Sequence, residues 1–135
     1  MKKILIVDDD KGGGAPFLVE YLYYFGFDVV FIEDAGSVID ILKKDEIHAI
    51  ILDIMMPIPE YWSLELKEKC KKGLETGIVL YKIIREEYPF LPILFHTIKT
   101  ANFIKNNRFT YTITKPEFPT VIIEKLNELI SMRTE

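Results

Sequence analysis

Five short apolar runs alternate with amphipathic stretches along the chain, and that alternation constrains the fold more than any single residue does. The runs are "KILIV" at 3–7, "DVVFI" at 28–32, "AIILD" at 49–53, "PILFH" at 92–96 and "FTYTI" at 109–113. Each is rich in β-branched or aromatic residues and is bounded by Gly, Pro or charge, which is the signature of a strand. Between them the apolar spacing changes from continuous to three and four. Residues 16–25 open on Pro16 and place Leu18, Leu22 and Phe25 on one side before Gly26. Residues 37–44 follow Ser37, a candidate cap, with Val38, Ile41 and Leu42 on one face. Residues 77–88 carry Leu80, Ile83 and Ile84 before Pro89, and residues 119–132 carry Ile122, Ile123, Leu126, Leu129 and Ile130. All four are predicted helices, and a weaker one is predicted over 99–106.

Strand followed by helix, repeated along one chain, predicts a parallel sheet with helices on both faces. Strands buried on both sides are near-continuously apolar, as these are. The expected class is α/β, a doubly wound five-stranded parallel sheet in the flavodoxin-like order 2-1-3-4-5. At 135 residues with 49% hydrophobic content, the chain suffices for one domain with a core of two or three layers.

In open sheets of this kind the reactive edge lies at the carboxyl ends of the strands. There the sequence puts Asp8 and Asp9 after the first strand, Asp53 after the third, Thr97 after the fourth and Lys115 after the fifth. Three gathered carboxylates repel one another unless a cation sits among them, and Mg²⁺ suits carboxylates that share an octahedral shell with water and phosphoryl oxygens. A hydroxyl and an ammonium opposite them supply a hydrogen-bond donor and a positive charge for an incoming phosphoryl group. The set is suited to phosphoryl transfer onto a carboxylate. The glycines of "DDDKGGGAPF" are no phosphate loop, because no Gly-Lys-Ser/Thr follows them.

Taken together, "IVDDD", "LDIMMP", "LFHT" and "TKP" resemble the motifs of two-component response-regulator receiver domains, in the same order and over nearly the whole chain. The resemblance implies that Asp53 accepts a phosphoryl group from a histidine kinase or a phosphotransfer protein. It implies that Asp8, Asp9 and Asp53 hold Mg²⁺, Asp9 more directly than Asp8, with the backbone carbonyl of Met55 completing the protein ligands. Thr97 and Lys115 would contact the phosphoryl oxygens, and the Lys115–Pro116 bond would be cis. Magnesium-dependent self-phosphorylation and self-dephosphorylation would follow, with the signal passed by protein contact to an output protein that the sequence does not name. A non-phosphorylated adaptor is the alternative function. A haloacid-dehalogenase-like phosphatase also forms an aspartyl phosphate, but that family expects Asp-x-Asp followed by Thr or Val, which "DDDKG" lacks.

The chain departs from the family pattern in three places. "KGGG" adds glycines beside the metal residues, either to admit a partner closely or as slack. An inserted segment at about 58–76 separates "LDIMMP" from the next helix, and Trp62, Leu66, Cys70 and Leu74 recur at every fourth position in it. That stripe predicts an amphipathic helix over the site edge, too narrow to hold a core and therefore a dispensable recognition lobe. Ile98 stands where a small residue usually follows the strand-end Thr, and Thr112 stands where receivers carry an aromatic ring. Readout through a rotating ring is therefore not expected, and the loops 10–15 and 54–62 are expected to carry the signal.

The remaining candidates receive ordinary readings. Asp10 is a solvated loop charge, His48 and His96 pack or cap, and Cys70 is an unreactive thiol in a solvated "KEKCKK" face. A net charge of −4 argues against direct nucleic-acid binding or attraction to an anionic membrane. No apolar run reaches membrane-spanning length, and one cysteine forms no internal disulfide. A cytoplasmic monomer or weak dimer, one domain over 1–135, is expected.

Overall fold

The computed structural model describes residues 1–9, 15–98 and 105–133. Its strands are β1 (Lys3–Val7), β2 (Asp28–Ile32), β3 (Ala49–Leu52), β4 (Ile93–Thr97) and β5 (Thr110–Thr114). The helices are α1 (Ala15–Tyr24), α2 (Val38–Lys44), α3 (Leu64–Lys69), α4 (Thr76–Glu87) and α5 (Pro119–Arg133). All strand pairs are parallel and the order is β2-β1-β3-β4-β5, as the alternation requires. The expected helix at 99–106 lies mostly outside the described residues. Its last two positions are not helical, and Asn107 instead forms a bridge with Thr110.

Side chains of successive strand residues enter opposite layers, so each strand feeds two cores. On one face Leu5, Val7, Ile50, Leu52, Ile93 and Phe95 pack under α2 and α4. On the other, Ile4, Ile6, Ala49, Ile51, Leu94 and Ile113 pack under α1 and α5. The inner strands β1, β3 and β4 are almost wholly buried, whereas every residue of the edge strand β2 is half-buried. Its unbroken apolar run shows its helix-covered faces and not its edge.

Two local expectations are corrected. Ser37 makes no side-chain capping bond to α2; its hydroxyl donates to Asp34 at 3.0 Å, and Asp34 caps the 3₁₀ turn Ala35–Ser37 by accepting from Gly36 N–H at 2.8 Å. An aspartate three residues upstream outcompetes the serine for the free amides of the turn.

The inserted segment is not one helix. Ser63 caps α3 through a bond from Leu66 N–H at 3.2 Å, and α3 ends at Cys70 because Lys71, Lys72 and Gly73 all adopt left-handed backbone, with φ of 49°, 61° and 93°. Trp62 and Cys70 are buried in the α2/α4 core, 9% and 0% exposed, with Leu66 packed against them, while Leu74 is exposed. The stripe therefore builds core on this face and is not a peripheral lobe.

Candidate functional site

Parallel register carries the polar strand ends to one edge. Val7 pairs with Leu52, Leu52 with Phe95 and Thr97 with Thr114, so the residues that follow these positions meet above the sheet. The ladder continues one step beyond the strands: Asp8 N–H donates to Ile32 O at 3.1 Å, Asp53 N–H to Val7 O at 3.0 Å and Lys115 N–H to Thr97 O at 2.8 Å. The backbone of each polar residue is thus fixed before its side chain does anything.

Asp8, Asp9 and Asp53 each offer a carboxylate oxygen within 4.8 Å of the others, the first and third buried and the second exposed. Lys115 Nζ reaches Asp8 Oδ2 at 2.7 Å and Asp53 Oδ2 at 3.0 Å. Burial works to lower the Lys115 pKa, but the hydrogen bond to Asp8 and the charge of Asp53 outweigh it and the net shift is upward. Lys115 stays an ammonium. The other Asp53 oxygen accepts from Ile54 N–H at 2.7 Å. Thr97 is fully buried at the end of β4, and the Lys115–Pro116 bond is cis.

Three carboxylates against one ammonium leave a formal −2. These hard oxygen donors fit one divalent cation of the Mg²⁺ type in both charge and chemistry. They open on a cavity of about 600 Å³ whose wall includes Asp9, Asp53, Met55 and Lys115. Ile98, which takes the place of the usual small residue after the strand-end Thr, stands on that wall.

The sequence brought Asp8, Asp9, Asp53, Met55, Thr97 and Lys115 to this edge, and the structure places all six there. The sequence also put the inserted segment over the site edge, but as a helix, whereas the turn at 71–74 is what closes one side of the cavity. Met56 N–H donates to Gly73 O at 3.1 Å, Thr76 Oγ1 donates to Met56 O at 2.6 Å, and Gly77 N–H donates to Ile54 O at 2.8 Å. Lys72, Gly73 and Leu74 line the cavity as a result. Gly77 lies so close that a Cβ there would strike the carbonyl oxygen of Asp53. The "KKGLETG" stretch, two glycines four apart leading into a helix, was the available signal.

The expectations at 10–14, including Asp10 and the glycines, lie outside the described residues. His48 acts as a backbone partner, its Nδ1 accepting from Lys3 N–H at 2.9 Å. His96 is buried at the end of β4, and its Nε2 has no hydrogen-bond partner among the described residues. Burial first and the Lys115 charge second lower its pKa to about 4, against the pull of Asp53 and Glu117. Cys70 is buried, and desolvation raises its pKa despite a hydrogen bond with Thr76. It is not a nucleophile.

No protein-family model matches the chain. Over 75 residues it is 32% identical to the response regulator MprA of Mycolicibacterium vanbaalenii, a stretch covering 56% of this chain and 30% of that protein. The chain therefore matches less than a third of the length of that curated relative. Among solved structures it resembles a CheY-like response-regulator receiver domain protein of Methanospirillum hungatei, with a TM-score of 0.77 at 21% identity over 99% of this chain and 97% of that one. It resembles the chemotaxis protein CheY4 of Vibrio cholerae, with a TM-score of 0.73 at 24% identity, over 96% and 98%. It also resembles the response regulator TrrA of Thermotoga maritima in complex with Mg(2+)-BeF, with a TM-score of 0.73 at 21% identity, over 96% and 99%. The chain has the fold of response-regulator receiver domains. No helix among the described residues is long and apolar enough to cross a membrane.

Proposed function

We propose that the chain is a phosphoacceptor signalling domain of a two-component phosphorelay, with Asp53 as the acceptor. The observation that carries the reading is the trio Asp8, Asp9 and Asp53 with Lys115 bridging two of its members at the carboxyl edge of the sheet. An Asp53 oxygen would attack phosphorus in a phosphohistidine of a kinase or phosphotransfer protein. The P–O bond forms as the P–N bond breaks, and the departing imidazole takes a proton from solvent. Asp8, Asp9, Asp53 and the Met55 carbonyl would hold Mg²⁺, which neutralises charge on the phosphoryl oxygens.

Lys115 keeps its proton across the neutral range and offers it to an anionic oxygen, while Thr97 supplies a hydroxyl from the end of β4. The Ile54 N–H holds one oxygen of the Asp53 carboxylate and the Lys115 ammonium holds the other, beside a cavity that both Asp53 and Lys115 line. Met56, Pro57, Ile58, Leu74 and Ile98 contribute apolar surface to the wall. One buried cysteine and a net charge of −4 support a cytoplasmic domain that signals by contact with a protein and not with nucleic acid.

Incubation with a small phosphodonor and Mg²⁺, followed by intact-mass spectrometry, tests this. The expected product is a single hydroxylamine-labile phosphoryl adduct that needs Mg²⁺ and is absent from Asp53→Asn protein of unchanged thermal stability. Wild-type protein that stays folded and unmodified under these conditions overturns the proposal.

A further inference from the structure

Lys72 belongs to the inserted segment, yet it lines the same cavity as Asp9, Asp53 and Lys115. Its position is set by backbone and not by a flexible loop. Lys71, Lys72 and Gly73 turn in left-handed conformation, and the carbonyl of Gly73 takes the N–H of Met56, which lines the cavity three residues after Asp53. Gly73 approaches so closely that a Cβ would stand 3.0 Å from Met56 O, which together with φ of 93° fixes the turn against the acceptor loop. A left-handed lysine is less favourable than a glycine would be. Neighbouring lysines are paired, Lys69 with Glu65 at 3.6 Å and Lys71 with Glu75 at 3.3 Å. Lys72 has no ion pair among the described residues.

Charge balance gives that unpaired ammonium a partner. In the phosphorylated site two carboxylates and a dianionic acyl phosphate face one divalent cation and one ammonium, which leaves a single negative charge uncompensated. We infer that Lys72 is a second cationic residue for the phosphoryl group, supplied by the inserted segment, which favours anionic donors and the phosphorylated state over the metal-only state. This rests on the phosphoacceptor reading of Asp53. A cation at the cavity wall attracts the phosphoryl oxygens and repels Mg²⁺, so it moves the two ligands in opposite directions. A residue that merely shaped the wall would move them together.

The test compares wild type with Lys72→Gly, which suits the left-handed backbone, with Lys72→Glu, and with Lys72→Arg as the conservative rescue. Calorimetry gives the affinity for Mg²⁺ alone and then for beryllofluoride, the stand-in for a phosphoryl group, at saturating Mg²⁺. Lys72→Gly is expected to bind beryllofluoride about fivefold more weakly and Mg²⁺ no more weakly, Lys72→Glu to widen both differences, Lys72→Arg to restore wild-type values, and high salt to shrink every gap. Beryllofluoride affinity equal in wild type and both charge-removing variants, or a parallel loss of both ligands, overturns the role of Lys72 while leaving Asp53 untouched. A wild-type protein that binds Mg²⁺ but no beryllofluoride instead overturns the phosphoacceptor reading beneath it.

Discussion

The two flanks of the site are built to different standards of completeness. On the β3 flank, residues 53–77, the loop after Asp53 is tied to the inserted segment and the start of α4 by two backbone bonds and the Thr76 hydroxyl, and two glycines allow contact at backbone distance. On the β4–β5 flank, residues 93–115, the ladder is equally regular, but it contains both buried side-chain polar atoms that lack a partner among the described residues, His96 Nε2 and Thr112 Oγ1. Buried polar groups are normally paired, and the exceptions mark places where structure has been left adjustable or strained. A change at Asp53 therefore meets a stiff, hydrogen-bonded route on one side and incomplete packing on the other. The ring-bearing face of the second flank is also reassigned: Tyr111 points into the α1/α5 layer under Lys125, while Tyr81 of α4 covers Phe95 and bonds Thr110 on the opposite face.

The sharpest way to break the first flank is Gly77→Ala. The new methyl meets the Asp53 carbonyl and the Ile54 Cα, both backbone, so neither yields cheaply. Urea unfolding is expected to show a loss of about 3 kcal/mol or more, with the phosphorylation rate falling alongside. Next comes Trp62→Ala, which empties a buried site in the α2/α4 core and is expected to cost about 3 kcal/mol. Unchanged stability in that variant would return the inserted segment to the status of a detachable lobe.

The second flank is sharpened by acid. His96 is neutral when buried, with a folded pKa near 4 against about 6.5 for the free side chain, and the charged groups facing it are Lys115, Asp53 and Glu117. The unfolded chain takes up the proton first as pH falls. Stability from this group is thus complete above about pH 6.5 and is lost on the way down to about pH 4. Between about pH 7.5 and about pH 5 it contributes a loss of about 2 kcal/mol, which His96→Leu removes from the measured pH dependence. The smallest effect is expected from Thr112→Val, which replaces an unpaired buried hydroxyl with a methyl of the same shape. A gain of about 1 kcal/mol is expected in thermal or urea unfolding.

Much of this was legible in the residues because the relevant physics is periodic or local. Apolar runs fixed all five strands to within a residue, although β3 ends at Leu52 and leaves Asp53 on the turn, where a carboxylate can reach the cavity. The convergence of Asp8, Asp53, Thr97 and Lys115 followed from parallel topology alone. The inserted segment resisted because two signals coincided: a spacing of four from Trp62 to Leu74 suggested one helix, while left-handed backbone at two lysines broke it. Lysine carries no sequence mark of positive φ, and Gly73 alone could have signalled the stop. The burial of Cys70 among four lysines and two glutamates was equally invisible, since its environment comes from α4 and Trp62 and not from its neighbours.

Amide NMR shifts on adding beryllofluoride to the Mg²⁺-loaded protein test the central claim most directly, because they report at once whether Asp53 takes a phosphoryl group and which flank responds. The account predicts saturable changes that require Asp53 and are largest over 53–62 and 72–77. No change at saturating beryllofluoride, or changes concentrated on 105–113 with 53–62 and 72–77 silent, would contradict it.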